Sequence, residues 1–437
     1  MPNEIYHRSE WGNPKAEGFG DVYFDAAATN KLYNHSDYYE NSDGTDKILR
    51  DLSNKASIVL TPTAYSDGSL NTVIPTDGNG DFDFSRGSSA TRVNEQGLIE
   101  SIASGLPRID YTSGFGSLLL EPQRTNLVTY SEDFSQSVWN ELRATITANS
   151  TTSPDGSNTA TLLKEDTTAS NTHIIYYGGS LASSTYSMSV FAKAKERTKI
   201  GLGTGNITQS AIFDLSNGTI INTGAHTASI QNYGNGWYRC NITTTTTTPI
   251  RIVLIDDNNN TSYTGDGISG IYIWGATFEA GSYATSYIVS NSGSTTTRSA
   301  DVANNSGNAD LINSTEGVLY AEIAALTDAD GDASLRFISL SNGTSSKRIT
   351  IYYFSSETFG VQLKNDGYEL TDLYIGGSVD RTQFNKIALY YSGSNVKAYL
   401  NGIEVFTNSS WIPFSANTIN TLTFTGGALS DLPFYGK

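Results

Sequence analysis

The sequence predicts an all-β protein, in which an irregular N-terminal arm is followed by two antiparallel β-sandwiches of the jelly-roll type. Only 16% of the 437 residues are charged, whereas 41 Gly, 26 Tyr and 17 Phe favour sheets and turns over solvated helices. From about residue 185 onward, apolar and polar residues alternate in short runs separated by Asn- and Gly-containing turns. Because single cores rarely grow past about 250 residues, this length predicts two or three domains.

Residues 1–56 form the arm, whose aromatic residues are scattered among Asn, Asp and Gly without a sustained period. Only the stretch 45–56 has a helical pattern, with Thr45 as the candidate N-cap. The arm lacks the apolar mass for a core, so it is either a disordered leader or a segment that another chain buries. We expect docking, and the candidate contacts are Trp11, Phe19, Tyr23, Phe24, Tyr33, Tyr38 and Tyr39.

Residues 57–125 are predicted to be a β-rich connector. The stretch 82–102 has the pattern of hairpins, and 117–122 is a short apolar strand that Pro122 ends before the next domain. Four charged residues of the stretch 82–102 are expected to form surface ion pairs and no catalytic set. These residues are Arg86, Arg92, Glu95 and Glu100.

Residues 126–289 are predicted to form the first sandwich, a jelly roll. In TYSMSVFAKA, residues 185–194, every second side chain is apolar, and Asn217-Gly218 marks a hairpin turn. The following segment, 290–314, is rich in Ser, Thr and Asn and is predicted to be a flexible linker.

Residues 315–437 are predicted to form the second sandwich. Alternation begins at 317–326 and continues to 385–406, where a Ser-Gly-Ser-Asn turn and an Asn401-Gly402 turn separate three strands of a meander.

Two stretches carry a resemblance to a known family. These are LLLEPQRTNLVTYSEDF with a following Trp (residues 118–139) and the meander at 385–406. The chain resembles virion fibre and spike proteins of tailed bacteriophages, most strongly over 82–301. In that family the first stretch opens a carbohydrate-binding-like jelly roll, and a laminin G-like (concanavalin A-like) sandwich often follows.

This resemblance implies a virion protein that is made in the infected cytoplasm and docks to other virion proteins through its arm. We also expect a homotrimer that binds a host-surface glycan, as a tail or head fibre. A capsid-decorating head fibre without a receptor role is the alternative. Family members usually continue past the stretch matching 431–437 with a closing strand. That strand is expected from elsewhere, such as a neighbouring subunit, unless the sequence is shorter than the gene product.

Charge and apolar patterning exclude two classes of partner. A net charge of −17 repels phosphate backbones and anionic membranes, so we expect no nucleic acid. No run of 18 apolar residues occurs, so we expect no membrane insertion, and the polar first residues predict no secretory leader. The single cysteine, Cys240, lies in an alternating stretch and is expected to be a small buried residue.

Catalysis has little support in the sequence, and we expect a protein that is not an enzyme. The chain has 4 histidines and no metalloprotease, P-loop or nucleophile-elbow motif. A polysaccharide depolymerase is the alternative of another class, because glycoside hydrolysis requires only two suitably spaced carboxylates.

No cofactor is expected apart from a structural calcium ion. Asp328, Asp330 and Asp332 place carboxylates at alternate positions of a Gly-containing turn, although the downstream Glu of an EF-hand is missing and a polar hairpin is the alternative. The acidic stretches 256–260 and 265–267 are a second, equally unspecific candidate.

A sugar site needs an aromatic face beside hydroxyl-binding polar groups. Trp139, Tyr176 and Tyr177 fall in or near loops at the early edge of the first sandwich, so they are the candidate glycan contacts. Trp237 and Trp274 lie within alternating strands and are predicted to be core residues.

Overall fold

The computed structural model describes residues 22–25, 31–34, 56–61, 64–326, 336–354, 358–375, 379–428 and 433–437. Its regular elements are β-strands and a short 3-10 turn, η1 (Ile207–Gln209), which confirms the all-β prediction. None of the described residues forms a helix that is long and apolar enough to cross a bilayer. The predicted helix at 45–56 lies outside the described residues, apart from its last residue.

The strands in the first part of the chain are β1 (Val22–Asp25), β2 (Lys31–Asn34), β3 (Ala64–Ser66), β4 (Ser69–Asn71), β5 (Phe82–Ser85), β6 (Ala90–Val93), β7 (Ile99–Ile102), β8 (Ile109–Asp110), β9 (Ser117–Leu118), β10 (Arg124–Asn126), β11 (Trp139–Leu142), β12 (Ala144–Thr151), β13 (Ala160–Glu165), β14 (Ile174–Tyr177), β15 (Ser184–Ala194) and β16 (Lys199–Thr204). The later strands are β17 (Ala211–Asp214), β18 (Thr219–Asn222), β19 (Thr227–Asn232), β20 (Trp237–Thr246), β21 (Ile250–Leu254), β22 (Gly270–Ala280), β23 (Thr296–Arg298), β24 (Val302–Asn304), β25 (Glu316–Ile323), β26 (Arg336–Ser341), β27 (Lys347–Phe354), β28 (Thr358–Asn365), β29 (Tyr368–Ile375), β30 (Asn385–Ser392), β31 (Asn395–Leu400), β32 (Ile403–Asn408) and β33 (Thr421–Thr423).

The chain divides into two compact units that are interleaved in sequence. The central unit contains 90–101 and 123–298, and the composite unit contains the described residues of 1–89, 102–122 and 299–437. The predicted connector is therefore divided between the two units and is not a separate domain.

The predicted flexible linker, 290–314, is also structured. It contains β23 and β24, and Arg298 and Asp301 within it are buried. Its polar composition suggested a solvated segment, but its polar side chains are used in internal hydrogen bonds and ion pairs.

The central unit is a sandwich of two six-stranded antiparallel sheets. One sheet has the order β11-β14-β21-β16-β17-β18, and the other has the order β12-β13-β22-β15-β20-β19. Alternating residues of both sheets form the core, including the apolar face of β15 predicted from the sequence. Cys240 is buried in this core, and burial raises the pKa of its thiol. The hairpin between β17 and β18 turns at Asn217-Gly218, where Gly218 has φ +73°.

The composite unit is built on a four-stranded sheet, β25-β30-β31-β32, and a five-stranded sheet, β29-β28-β27-β26-β33. Its core also takes in Phe82, Leu118 and Ala303 from the segments that precede the predicted second sandwich. The turn between β31 and β32 uses the predicted pair Asn401-Gly402, both with positive φ.

The last residues pair with an earlier segment of the chain. Gly436 forms isolated bridges with both Leu120 and Ala325, and the Lys437 ammonium lies 2.7 Å from an Asp110 carboxylate oxygen. Leu120 belongs to the apolar stretch that the sequence predicted to lead into a domain. That stretch instead pairs within the composite unit.

A buried ion cluster joins three distant parts of the composite unit. Arg108 contacts Glu121 at 2.7 Å and Asp301 at 2.5 Å, and Arg86 contacts Asp301 at 2.9 Å. Burial alone would lower the pKa of Arg108, but the two carboxylates raise it above its ordinary value. Arg86 is therefore not the surface residue that the sequence predicted. Arg92 and Glu100 do form the predicted partly exposed pair, at 2.6 Å.

Candidate functional site

One of the two sheets of the central unit has the strand order β11-β14-β21-β16-β17-β18. The face of this sheet that points away from the core presents one row of polar and aromatic side chains. Register pairs Asn140 with Tyr176, Tyr176 with Arg251, and Arg251 with Gly203, across four adjacent strands. Residues of the alternate parity on these strands, such as Ile175 and Ile252, are buried in the core. The four residues, called the Tyr176 row below, therefore share the face that points away from the core.

Tyr176 is half-buried and lies between an amide and a guanidinium. The Arg251 guanidinium carbon is 5.6 Å from the centre of its ring, within the range of a cation–π contact. Neither the Tyr176 hydroxyl nor the Arg251 guanidinium hydrogen-bonds to another described residue. Together with the Asn140 amide, they supply an aromatic surface, donors and acceptors at one place.

Two glycines beside Arg251 make room for neighbouring side chains. Gly201 and Gly203 occupy alternate positions of β16, so both fall on the open face. A Cβ at Gly203 would lie 2.4 Å from the Ser210 hydroxyl oxygen, and one at Gly201 would lie 3.0 Å from Ile255. The Ser210 hydroxyl is buried and has no hydrogen-bond partner in the described structure. The side chains of Ser210 and Ile255 thus fill the space beside these two glycines, and both glycines are buried.

The neighbouring part of the same face is covered and apolar. Ile174, Ile212, Val253 and Ile255 are buried there, and Ile207 of η1 packs against them. This small second core packs β14, β17 and β21 together, and Tyr176 itself also packs against it. The row is therefore presented by a rigid surface.

Trp139 is not a glycan contact, in contrast to the prediction from the sequence. Its side chain is 5% exposed, packs at 4.8 Å from the Phe134 ring, and donates its indole N–H to the Tyr130 carbonyl at 2.9 Å. Trp139 is the first residue of β11, and its register partner is Tyr177. Residues paired in register face the same side of a sheet, and both side chains point into the core.

Tyr177 also belongs to the core side of the sheet. Its hydroxyl bonds to the Thr129 backbone amide at 3.2 Å, and its ring packs edge-on against Trp139. Of the three predicted contacts, Tyr176 alone falls on the open face. Trp237 and Trp274 are buried, as predicted.

The stretch around residues 126–132 has a structural role. The buried Asn126 donates to the carbonyls of Ala276 and Ile288 and accepts from Phe278 N–H, so it fastens β10 to β22 and its continuation. Glu132 accepts from the Tyr287 hydroxyl at 2.8 Å, and burial raises the pKa of this carboxyl. The conspicuous sequence TNLVTYSEDF is thus a clasp that holds the central unit together.

No metal site is found among the described residues, in which no group of three or more His, Cys, Asp or Glu side chains is suitably arranged. Asp328, Asp330 and Asp332 lie outside the described residues, so that candidate stays a prediction. At the second candidate, Asp256 accepts from the backbone amides of Asn258 and Asn260, which makes it a turn-capping residue.

The structure describes three of the seven candidate docking residues of the arm. Tyr23, Phe24 and Tyr33 belong to β1 and β2, which pair as a hairpin. Trp11, Phe19, Tyr38, Tyr39, His7 and His35 lie outside the described residues.

The other two histidines lie in the central unit, and Nδ1 of His173 is 3.3 Å from an Asp166 carboxylate oxygen. The His173 ring is buried, with Nδ1 2.7 Å from the Arg143 carbonyl oxygen. His226 is half-buried, and burial lowers the pKa of its imidazole.

Sequence reasoning missed Asn140, Arg251 and Gly203. A signal was present in two stretches: Arg251 is the one polar residue of IRIVL, and IGLG places glycines at alternate positions of a strand. Alternation predicts that such residues face outward from the core. Only the pairing of the strands decides which of these residues are neighbours on the sheet.

Comparison with protein families gives a match for the C-terminal part of the chain. Residues 324–437 match the Concanavalin A-like lectin/glucanases superfamily. No curated protein sequence matches the chain.

Several solved structures show local likeness. The CBM40 of the Ruminococcus gnavus IT-sialidase bound to α2,3-sialyllactose is 20% identical over 30% of this chain and 82% of its own, with a TM-score of 0.24. Sheep galectin-11 is 10% identical over 25% and 88%, with a TM-score of 0.19. Domains LG4-5 of the mouse laminin α1 chain are 8% identical over 62% and 85%, with a TM-score of 0.21. Residues 324–437 are the part of the chain that is similar to a protein family, the Concanavalin A-like lectin/glucanases superfamily.

Proposed function

We propose that the protein is a virion appendage subunit, a tail or head fibre of a tailed bacteriophage, that binds a host-surface glycan at the Tyr176 row. The observation that carries the binding proposal is the juxtaposition of a half-buried Tyr176 with the Arg251 guanidinium and the Asn140 amide. An aromatic ring binds the C–H face of a sugar, while the amide and guanidinium bind its hydroxyl or carboxylate oxygens. The resemblance of 82–301 to virion fibres supports the appendage role.

Glycan binding is tested by comparing the full-length chain with Tyr176→Ser and Arg251→Gln on an immobilised panel of bacterial surface polysaccharides. We expect each change to lower affinity about fivefold, because each removes a ring contact or a charge-assisted hydrogen bond worth about 1 kcal/mol. Ile221→Ser, at an exposed position of the edge strand β18, is the matched control and should bind normally. Unchanged glycan binding by both Tyr176→Ser and Arg251→Gln would exclude the Tyr176 row as the glycan-binding site.

The appendage role has a separate test. In the proposal the arm, residues 1–56, docks to the particle, so electron microscopy of virions carrying a gold-labelled chain should show label at the tail or the head. Absence of label from purified particles would contradict the proposal, and label at the head without glycan binding would favour the decorating fibre. Release of reducing sugar from a bound polysaccharide would favour the depolymerase.

A further inference from the structure

The end of the central unit that contains the Tyr176 row carries a single charged side chain. Four stretches of the chain form this end, and they are residues 134–140, 176–185, 203–211 and 243–251. They contact one another directly: the Gly178 N–H bonds to the Val138 carbonyl at 2.7 Å, and the Leu181 N–H bonds to the Thr247 carbonyl at 2.8 Å. Among all the residues of the four stretches, Arg251 is the only one that is Asp, Glu, Lys, Arg or His. We call this region the Arg251 end.

The next row of side chains on the open face is also uncharged. Register joins six residues in that row, which are Leu142, Ile174, Val253, Gly201, Ile212 and Asn222. The first charged residues met along β16 on this face are Lys199 and its register partner Asp214. Lys199 is four residues from Gly203, which corresponds to about 13 Å along a strand. These two opposite charges also largely cancel each other at the distance of Arg251.

Two acidic residues border the Arg251 end, and neither is a partner of its guanidinium. Glu141 has the parity of Trp139 on β11, which is opposite to that of the Tyr176 row. The strand β14 lies between β11 and β21, so the backbones of these two strands are about 10 Å apart. The Asp133 carboxylate accepts hydrogen bonds from two side chains of its own loop. None of the described carboxylates forms a salt bridge with Arg251.

A guanidinium without a neighbouring carboxylate favours an anionic ligand. The chain as a whole carries −17, but charges beyond about 8 Å are largely screened at physiological ionic strength. The field at the Tyr176 row is therefore positive although the protein is acidic. A planar guanidinium matches a carboxylate in charge and in geometry, because it can donate two parallel N–H bonds to the two carboxylate oxygens. The Tyr176 ring, 5.6 Å from the guanidinium carbon, supplies an aromatic surface beside it.

We propose that the Tyr176 row selects an acidic saccharide, whose sugar ring packs against Tyr176 and whose carboxylate pairs with the Arg251 guanidinium. The Asn140 amide hydrogen-bonds a hydroxyl of the same sugar. This inference rests on the proposed function and adds the class of ligand: a sugar with a carboxylate binds more tightly than the same sugar without its charge.

The test compares each polysaccharide with its own uncharged form. Bacterial surface polysaccharides that contain uronic acid are immobilised as such and after reduction of their carboxyl groups to primary alcohols, and binding of the full-length chain to both forms is measured. We expect the wild type to prefer the acidic form about fivefold, because an uncharged hydroxyl replaces a charge-assisted partner of Arg251. The preference should shrink in 1 M NaCl, where charges are screened within about 3 Å.

Variants of the row separate the charge from the ring. Arg251→Gln should bind both forms equally, whereas Arg251→Lys, which keeps the charge, should retain part of the preference. Tyr176→Ser should weaken binding of both forms by the same factor, because the ring contact does not depend on the carboxylate. Lys199→Gln is the matched control, since it removes one positive charge from the same face two rows away, and it should keep the full preference.

Equal binding of the acidic and the reduced forms by the wild type would overturn this inference. If Tyr176→Ser still weakened that binding, the proposed function would stand without the acidic ligand. A preference that persisted in Arg251→Gln, or that disappeared in Lys199→Gln, would show that Arg251 is not its source and would also overturn the inference. No binding of either form of any polysaccharide would reject the proposed function, and this inference with it.

Discussion

Trp139 shows how one side chain changes role when its environment is known. In sequence it follows a polar stretch, SEDFSQSV, and therefore resembles an exposed aromatic residue at a loop. In the structure its ring is packed between Phe134 and Tyr177, and its only polar atom bonds to the Tyr130 carbonyl. The neighbouring Tyr176 has the opposite parity in β14 and lies on the open face. Two adjacent tyrosines thus lie on opposite faces of the sheet.

Trp139→Ala is expected to lower the free energy of unfolding by about 3–5 kcal/mol, because it opens a cavity and leaves the Tyr130 carbonyl without its donor. Denaturant unfolding of the central unit, followed by intrinsic fluorescence, measures the change. Tyr176→Ser, at the adjacent open-face position, should change stability by less than about 1 kcal/mol. Equal stability of Trp139→Ala and the wild type would contradict its assignment to the core.

At the scale of elements, polar clusters join segments that are far apart in the chain. Asp301 lies between Arg86 and Arg108, and its carboxylate also accepts the Glu121 backbone N–H at 2.9 Å. These residues come from all three segments of the composite unit, which alternate in sequence with the two segments of the central unit, so the cluster holds the interleaved segments of the composite unit together. Replacement of one carboxylate leaves two buried guanidinium groups with a single counter-charge.

Asp301→Asn is therefore expected to destabilise the composite unit by about 3–5 kcal/mol, as is typical when one partner of a buried ion pair is removed. Thermal unfolding by calorimetry should show a lower transition temperature for this unit. The control is Asp310→Asn, an exposed position nearby, which should unfold like the wild type. A transition temperature unaffected by Asp301→Asn would show that the cluster contributes nothing to stability.

For the whole molecule, trimer formation is the expected consequence of weak sites in an appendage. Single-site sugar contacts are weak, and linked sites raise apparent affinity about 100-fold or more when several can engage at once. Edge strands such as β25 and β32 also leave unpaired backbone groups that neighbouring subunits can cover.

The full-length chain is accordingly expected to have three times the monomer mass in light scattering, and to bind a dense glycan surface far more tightly than a soluble oligosaccharide. The same comparison at decreasing glycan density provides the control, since avidity disappears when only one site can engage. A monomer at all ordinary concentrations would contradict the trimer.

The sequence by itself determined the all-β class, the turns at Asn217-Gly218 and Asn401-Gly402, and the buried faces of strands such as β15. These features depend on local rules: a period of two places alternate side chains on one face, and positive φ favours Gly and Asn. Local rules also identified the buried tryptophans Trp237 and Trp274.

Only the tertiary structure decided which strands are neighbours, and hence which side chains meet. Asn140, Tyr176, Arg251 and Gly203 come from four strands spread over more than 100 residues, and register alone places them in one row. The same holds for the interleaved units, because Asp301 in a Ser- and Thr-rich stretch is indistinguishable from a solvated residue until Arg86 and Arg108 surround it. Composition reports average polarity, whereas burial depends on long-range partners that no local pattern specifies.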